Sequence, residues 1–200
     1  MQRCVCFLLF FGCTLYGFGQ RLDSTALKNQ PIYISFEQVD TVNMNNVYRL
    51  MFRGKLPNDF QQKITQYPNL QELRLNRMRL KQIPEIVWSL SNLTILDLSN
   101  NKIEQISPRI GQLQYLGQLI LNRNNIQSLP SEIANLLELH YLDLWSTLII
   151  AFPYEIIALE NSLKIVDMRV INMNDDHKEL LQSYLPKTKF LFTKSCNCKM

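Results

Sequence analysis

The length, composition and charge of the chain exclude several classes of protein. The chain has 200 residues, a formal net charge of +4 and six glycines. This charge is too small to predict nucleic-acid binding, because no basic run or aromatic-stacking motif accompanies it. The sequence also contains no glycine-rich phosphate loop, no nucleophile elbow and no HExxH motif, which argues against an enzyme.

The first 19 residues have the form of a secretory signal peptide. Arg3 supplies a positive charge, and residues 4–16 are almost wholly apolar. Gly17 and Gly19 place small residues at −3 and −1 of a cleavage site before Gln20, a pattern typical of cleaved signal peptides. The apolar segment is shorter than the roughly 20 residues that a transmembrane helix needs. We therefore predict export of the protein and no membrane span in the mature chain.

A second form of export is also compatible with this N-terminus. The stretch Phe10-Phe11-Gly12-Cys13 resembles a bacterial lipoprotein cleavage site, although Phe10 stands where leucine is usual. A lipid anchor at Cys13 therefore stays open as an alternative to simple secretion. By either route, the sequence predicts an exported protein that is secreted, periplasmic or on the cell surface.

Residues 20–46 are predicted to form a linker and a helical N-terminal cap. Ser35-Phe36-Glu37-Gln38 has the S-x-x-Q form of a capping box. Phe36, Val39 and Val42 then recur at helical spacing. We expect this short helix to cover the first strand of the segment that follows.

A leucine pattern repeats every 23 residues through the middle of the chain. The motif LxxLxL begins at Leu70, Leu93, Leu116 and Leu139, and a further apolar residue follows 13 residues after each start. A fixed period of this length predicts a stack of similar supersecondary units, not a globule with one central core. Each unit is expected to bury its apolar edge on its neighbours.

The repeat array is predicted to extend beyond the four regular units, over residues 47–173. Its units are a degenerate one at 47–69, four regular ones at 70–92, 93–115, 116–138 and 139–162, and a partial one at 163–173.

Residues 174–200 are predicted to form a C-terminal cap. Asn174-Asp175-Asp176 supplies side-chain oxygens of the kind that start a helix, and Pro186 ends the pattern. An apolar stripe at helical spacing lies between them, namely Leu180, Leu181, Tyr184 and Leu185. Phe190-Leu191-Phe192 then predicts a last strand that seals the apolar stack.

The repeat pattern resembles that of the leucine-rich repeat family in its 23-residue form, LxxLxLxxNxLxxLPxxIxxLxxL. The resemblance implies an α/β repeat fold. This fold is a right-handed solenoid with a concave parallel sheet of about six short strands, a helical N-terminal cap and a helix-plus-strand C-terminal cap. The family places an inward asparagine at the ninth position, where Asn101 and Asn124 fit but Met78 and Thr147 do not.

Removal of a signal peptide would leave two cysteines, Cys196 and Cys198. The body of the protein then has no disulfide framework. Three interpretations of the pair stay open: a local disulfide or unreactive pair, a bridge between two chains, and a metal or redox role. Structural zinc needs about four ligands, and the nearest further one, His177, is distant in sequence.

The histidines and aspartates do not form a recognisable catalytic set. Asp97, Asp143 and Asp167 all occupy the fifth position of their units, and His140 lies near Asp143. Ile120 takes the fifth position of the unit between, which interrupts the row of carboxylates. We interpret the aspartates as solvated surface carboxylates, and we predict no catalytic residues, no cofactor and no metal site.

The predicted binding surface is the concave face, because alternate residues of each strand point away from the leucine core. Trp, Tyr and Arg dominate binding hot spots, so we expect Trp145 and Tyr141 to anchor a partner while Arg53 and Arg74 select for acidity. Single exposed aromatics are also normal on any surface, and this alternative stays open. The full set of candidate partner-binding residues is Arg49, Arg53, Arg74, Ile95, Ile120, Tyr141 and Trp145.

These observations predict an exported, non-enzymatic module that holds a protein or peptide partner. The predicted face measures on the order of 400 Å², about half of the ~800 Å² that one partner contributes to a standard interface. A peptide, a loop or a short glycan would fit it. The alternative is a structural or assembly protein of the cell envelope that oligomerises through the solenoid ends or the Cys196 and Cys198 tail.

Overall fold

The computed structural model describes residues 21–39 and 43–193. The predicted signal peptide, Cys13 and the pair Cys196 and Cys198 lie outside these residues, so their predicted roles stay predictions. Among the described residues, the repeat units stack into one continuous apolar core.

One parallel sheet contains seven short strands in the order of the chain. The strands are β1 Arg49–Met51, β2 Glu72–Arg74, β3 Ile95–Asp97, β4 Gln118–Ile120, β5 Tyr141–Asp143, β6 Ile165–Asp167 and β7 Lys189–Leu191. Paired residues lie 23 positions apart through the regular units, as in Leu50 opposite Leu73. Leu142 pairs with Val166, which reflects the one extra residue of unit 139–162. The fold class is confirmed, and the predicted cap strand joins the sheet as β7.

The leucines of the motif form the core, since they point inward from each strand. Leu73, Leu96, Leu119 and Leu142 are all fully buried. Short 3-10 helices line the opposite side of the core: Glu85–Ser89, Pro108–Gln112, Ser131–Asn135 and Tyr154–Leu159. A proline directly precedes or begins each of these turns, where its fixed φ favours helix entry and its missing N–H costs nothing.

The turn after each strand has the same backbone geometry. The eighth position of five units adopts a left-handed conformation, with φ between 54° and 60°, at Arg77, Asn100, Arg123, Ser146 and Val170. A β-branched residue is a rare outlier in this region of φ/ψ space. Val170 is therefore the costly member of this set.

The two predicted asparagines tie neighbouring turns together. The Asn101 side-chain oxygen accepts from the backbone N–H groups of Met78 and Leu80, both at 3.0 Å. Its amide nitrogen donates to the carbonyls of Leu75 and Leu98 at 2.8 Å. Asn124 makes three of these four contacts one unit further along, with the Ile103 N–H and with the carbonyls of Leu98 and Leu121.

Helices cover both ends of the core. At the start lie α1 Ser24–Lys28, α2 Phe36–Val39 and α3 Phe60–Lys63, with 3-10 turns at Met44–Asn46 and Ile64–Gln66. Phe36 of α2 packs on Phe52 and Tyr67, with ring centroids 4.9 and 5.9 Å apart. At the other end, α4 Asp175–Tyr184 begins at Asn174, whose side chain accepts from the His177 backbone N–H.

Candidate ligand-binding face

The concave face is built from alternate positions of the strands and of the residues that follow them. Because the strands pair in register, each position forms a column across the sheet. The third-position column is Arg49, Glu72, Ile95, Gln118, Tyr141 and Ile165. The fifth is Met51, Arg74, Asp97, Ile120, Asp143 and Asp167, and the seventh is Arg53, Asn76, Ser99, Asn122, Trp145 and Arg169. All seven candidate residues therefore lie on this face.

Arg49 differs from the other candidates because it is only 9% exposed. Its Nε lies 2.6 Å from Oε2 of Glu72, which is itself 1% exposed. Its Nη1 donates to the carbonyls of Lys28 and Gln30, both at 3.0 Å. The expectation that this side chain faces solvent is wrong, because the chain that precedes the repeats covers it.

That covering chain, residues 21–30, crosses the amino-terminal ends of the strands, and we call it the N-terminal strap. Leu27 of the strap is 2% exposed. Arg21 lies 3.2 Å from Glu138 and its guanidinium is 4.0 Å from the ring centroid of Tyr115. The Gln71 amide, oriented to satisfy both of its polar atoms, accepts from the Leu22 N–H at 2.7 Å and donates to its carbonyl at 3.1 Å.

The sequence predicted this segment only as a linker. A local signal did exist: Asp23 accepts from the N–H groups of Thr25 and Ala26, as an N-cap aspartate before a helix does. A cavity of about 250 Å³ lies between the strap and the strands, lined in part by Ile95 and Gln118. Ile95 therefore lies beside the strap, at the border of the open surface.

The positive charge at the first strands is partly neutralised. Arg74 is paired with Glu72, which thus lies between two arginines. Arg53 is exposed and makes no ion pair or hydrogen bond through its side chain within residues 21–39 and 43–193. Arg53 and the half-buried Arg74 are the candidate arginines that a ligand could reach.

The aromatic end of the face is organised around Trp145. Its ring packs against the Arg123 guanidinium, 4.4 Å from the ring centroid, and its backbone N–H donates to Asp143 at 3.0 Å. Trp145 and Tyr141 are both half-buried. Sequence reasoning missed Arg123, whose position in the turn after β4 brings it beside the next unit.

The fifth-position aspartates are buried, which corrects the prediction of solvated carboxylates. Asp97, Asp143 and Asp167 are 6%, 9% and 3% exposed. Each accepts from the backbone N–H two residues later, at 2.9, 3.0 and 3.1 Å. They therefore hold the ends of their strands in place.

Burial has electrostatic consequences at this end of the face. Loss of hydration raises the pKa of Asp143, and the neighbouring charge of Asp167 raises it further. A hydrogen bond of 2.6 Å from the Asn122 amide opposes the shift. Burial, followed by the charges of Asp143 and Asp167, raises the pKa of Tyr141.

His140 lies at the edge crossed by the strap, with its Nδ1 3.2 Å from the Glu138 carbonyl. Within the part of the chain that the structure describes, no group of three or more His, Cys, Asp or Glu side chains is placed to hold a metal ion. The face offers hydrogen bonding, charge and aromatic contact, which are means of binding a ligand.

A family model described as leucine-rich repeats, in two copies, matches residues 68–111. The matched segment contains two of the regular units, and the remaining units follow the same register in the sheet. The chain contains leucine-rich repeats. Proteins built on this repeat are commonly interaction modules and generally non-enzymatic binding scaffolds.

Solved structures of other leucine-rich repeat proteins are similar to this one. A leucine-rich repeat protein of Leptospira interrogans is 28% identical with a TM-score of 0.69, over 83% of this chain and 47% of that one. The ectodomain of the plant membrane receptor kinase GASSHO1/SCHENGEN3 from Arabidopsis thaliana is 29% identical with a TM-score of 0.58. That match covers 75% of this chain and 19% of the ectodomain, which was solved in complex with Casparian strip integrity factor 2.

A third similar structure, an internalin of Listeria monocytogenes, is 16% identical with a TM-score of 0.55, over 74% of this chain and 42% of that one. It supports the fold alone. This leucine-rich repeat protein thus spans about half of the Leptospira protein and a smaller part of the plant ectodomain. Comparison with curated protein sequences gave no match. Among the described residues, no helix has the length and apolar character to cross a bilayer.

Proposed function

We propose that this protein is an exported, non-enzymatic module that binds a protein or peptide on the concave face. The observation that carries the proposal is the environment of Trp145. Its ring is held half-exposed between the Arg123 guanidinium and the sheet, and its backbone is fixed by Asp143. An aromatic side chain that is already ordered loses little conformational entropy on binding, which favours its use as an anchor.

The N-terminal strap restricts the proposed site to the part of the face that it leaves open. Arg49 is engaged inside the protein, so the proposal no longer includes it. Ile95 forms the border of the site. The proposed partner contacts are Arg53, Arg74, Ile120, Tyr141 and Trp145, with Arg123 added to them.

The size of this area favours a narrow ligand. Five strand positions at about 4.8 Å spacing and a few residues along each strand give an area below the ~800 Å² of a standard protein partner. A peptide or an exposed loop suits such an area. The complex of the Arabidopsis ectodomain supports a binding role for this repeat class, although the partner of that receptor is not thereby a partner of this chain.

A pull-down from the native medium or envelope would test the proposal, comparing wild type with Trp145→Ala/Arg53→Ala. We expect the variant to lose the partner that wild type captures, because an aromatic anchor and a charge are removed together. Tyr154→Ala/Arg109→Ala is the matched control, since it removes an aromatic residue and an arginine outside the concave face. Equal capture by all three proteins would contradict the concave site.

Export is a separate part of the proposal, and mass spectrometry of the mature chain tests it. A mature chain that starts at Gln20 supports signal-peptide cleavage, and a lipid-modified Cys13 supports the anchored form. An unprocessed chain from Met1 would contradict both routes.

A second candidate function is assembly into a larger structure, supported by an apolar area on the side of the 3-10 helices. Leu137 and Tyr154 are each 64% exposed, and Ile157 is 40% exposed. These residues line one open groove with Ala134 and Ala158. Self-association that Leu137→Asp abolishes, measured by analytical ultracentrifugation, would favour assembly over ligand binding.

A further inference from the structure

The turns that follow the strands form a second surface, separate from the concave face. From residue 77 onward, the turns alternate between more buried and more exposed residues, so the eighth, tenth and twelfth positions of these units point outward. Backbone hydrogen bonds stack the turns in register, from Lys102 to Leu80 at 2.8 Å and from Leu148 to Ile126 at 2.9 Å. We call this surface the turn flank, formed by residues 54–55, 77–81, 100–104, 123–127, 146–150 and 170–174; Arg123 lies at its border with the concave face.

The first four turns of the flank carry most of its charge. Glu104 is the acidic residue in these turns. The cations are Lys55, Arg77, Arg79, Lys81, Lys102 and Arg123, all of them exposed. Six cations against one carboxylate leave this half of the flank at +5, more than the +4 of the whole chain.

Most of these cations also lack side-chain partners. Among the described residues, all of them except Arg123 lack an ion pair, a hydrogen bond or a ring contact through the side chain. The contrast is with eight cations that are paired with carboxylates: Arg21, Arg49, Lys63, Arg74, Arg109, Arg169, Lys178 and Lys187. Like charges concentrated without counter-charges repel each other and attract an anionic surface.

The last turns of the same flank are aliphatic. Leu148, Ile150 and Val170 are 55%, 62% and 61% exposed. Val170 keeps a β-branched side chain at φ 60°, where glycine or asparagine would relieve the strain. Neither the packing of the core nor the backbone of the turn explains an exposed valine there.

We propose that the turn flank binds the surface of an anionic lipid bilayer. The cations lie against headgroup phosphates, and the aliphatic side chains enter the boundary between headgroups and acyl chains. Peripheral proteins bind membranes through this combination of basic and apolar side chains. The flank spans about five inter-strand steps of ~4.8 Å, roughly 24 Å, so its basic and aliphatic halves lie side by side.

Two other occupants fit the flank less well. A soluble polyanion would neutralise the cations but leave the aliphatic residues in water. An apolar protein surface would cover Leu148 and Ile150 but leave the cations without counter-charges. A bilayer supplies phosphates and an apolar interior side by side, and it leaves the concave face open except at Arg123, on the border.

Vesicle co-sedimentation tests the proposal, with the full chain and vesicles of equal parts phosphatidylglycerol and phosphatidylcholine. We expect binding to these vesicles, little binding to pure phosphatidylcholine, and release by added salt, since screening weakens exposed charges. Each basic residue near an anionic surface contributes about fivefold to the partition coefficient. Arg77→Gln/Arg79→Gln/Lys81→Gln should therefore weaken binding about 100-fold.

A matched control removes the same charge elsewhere: Arg109→Gln/Lys178→Gln/Lys187→Gln. This control should lose far less binding, because its cations lie off the flank, and any contribution of residues 1–19 is common to all the proteins. Equal losses in both triple variants would overturn the proposal, because binding would then depend on the net charge of the protein and not on the flank. Circular dichroism of each variant establishes that it is folded.

The aliphatic half needs its own variant, Leu148→Ser/Ile150→Ser, compared with Leu137→Ser/Tyr154→Ser on the opposite side. We expect only the flank variant to weaken vesicle binding, by at least tenfold, because two aliphatic side chains no longer enter the bilayer. Heparin serves as a soluble polyanion. If the flank variant binds vesicles as wild type does while the basic variant loses heparin, the surface is a polyanion site and the bilayer proposal is wrong.

Discussion

The amino-terminal and carboxy-terminal halves of the concave face have the same backbone but different accessibility. At β1 and β2, the strap covers the sheet and Glu72 is enclosed by two arginines. At β5, the face is open and Trp145 is held by Arg123 at its edge. The repeat register determines where each column lies, whereas a segment outside the repeats determines which part of a column reaches solvent.

The largest effect is expected from breaking the buried ion pair of the covered half. Glu72→Ala leaves the Arg49 guanidinium buried without a counter-charge, which typically costs about 3–5 kcal/mol. Urea unfolding would measure it. The control is Glu85→Ala, which breaks the exposed pair with Arg109 and should cost less than about 1 kcal/mol. Similar losses of unfolding free energy in both variants would show that the buried Glu72–Arg49 pair matters no more than an exposed pair.

A smaller effect is expected from loosening the strap alone. Leu27→Ala removes the buried anchor of the strap, and large-to-small changes of this type cost about 2–5 kcal/mol in a closed core. At this edge we expect the lower end of that range, because the strap can relax. Hydrogen exchange should accelerate at Leu22 and Ala26 and stay unchanged at Leu119. Acceleration throughout the sheet would contradict a separable strap.

The turn after β6, at the carboxy-terminal end of the repeats, contains a position that should gain stability. Val170→Asn replaces a β-branched residue in the left-handed region by one that tolerates it, so we expect about 1 kcal/mol of stabilisation. The thermal midpoint of unfolding is the measurement. The corresponding change Ser146→Asn, at a less strained residue type, should have a smaller effect. A destabilised Val170→Asn would indicate that the valine makes a contact that outweighs its strain.

The sequence predicted the features that depend on the 23-residue repeat. The strands, the burial of Leu96 and the asparagine contacts follow from residues that recur every 23 positions. The strap could not be predicted in this way, because its contacts join Leu22 to Gln71 and Arg21 to Glu138 across long separations. For the same reason, the burial of Arg49 could not be predicted. Arg49 faces the concave side as predicted, but the N-terminal strap covers it.

The aspartates show a different limit of the sequence pattern. Asp97 and Asp143 stand at positions that point away from the core, so a solvated carboxylate was the simple expectation. Hydrogen bonds from the backbone N–H two residues later hold these carboxylates close to the strand. The side chains beside them in the columns then shield them from water. Alternation predicts the direction of a side chain on a strand, but neighbouring columns determine whether water reaches it.

The smallest expected effect concerns the pH dependence of Asp143. Burial raises its pKa in the folded protein, so the folded state binds this proton more tightly than the unfolded chain does. Ionised Asp143 therefore reduces stability above the raised pKa, and this penalty disappears as the pH falls below the pKa of the unfolded chain. Asp143→Asn should unfold at a higher urea concentration than wild type at pH 7, with a difference that narrows towards pH 3.

The asparagine variant removes the charge and the acceptor of the Asn122 hydrogen bond, while its side-chain oxygen can still accept from the Trp145 N–H. Asp143→Ala is the control: it removes the charge and the hydrogen bond together, and it should be less stable than Asp143→Asn at every pH. A difference between wild type and Asp143→Asn that widens in acid would mean that the Asn122 hydrogen bond outweighs burial. In that case the open half would hold its carboxylate as firmly as the covered half holds Glu72.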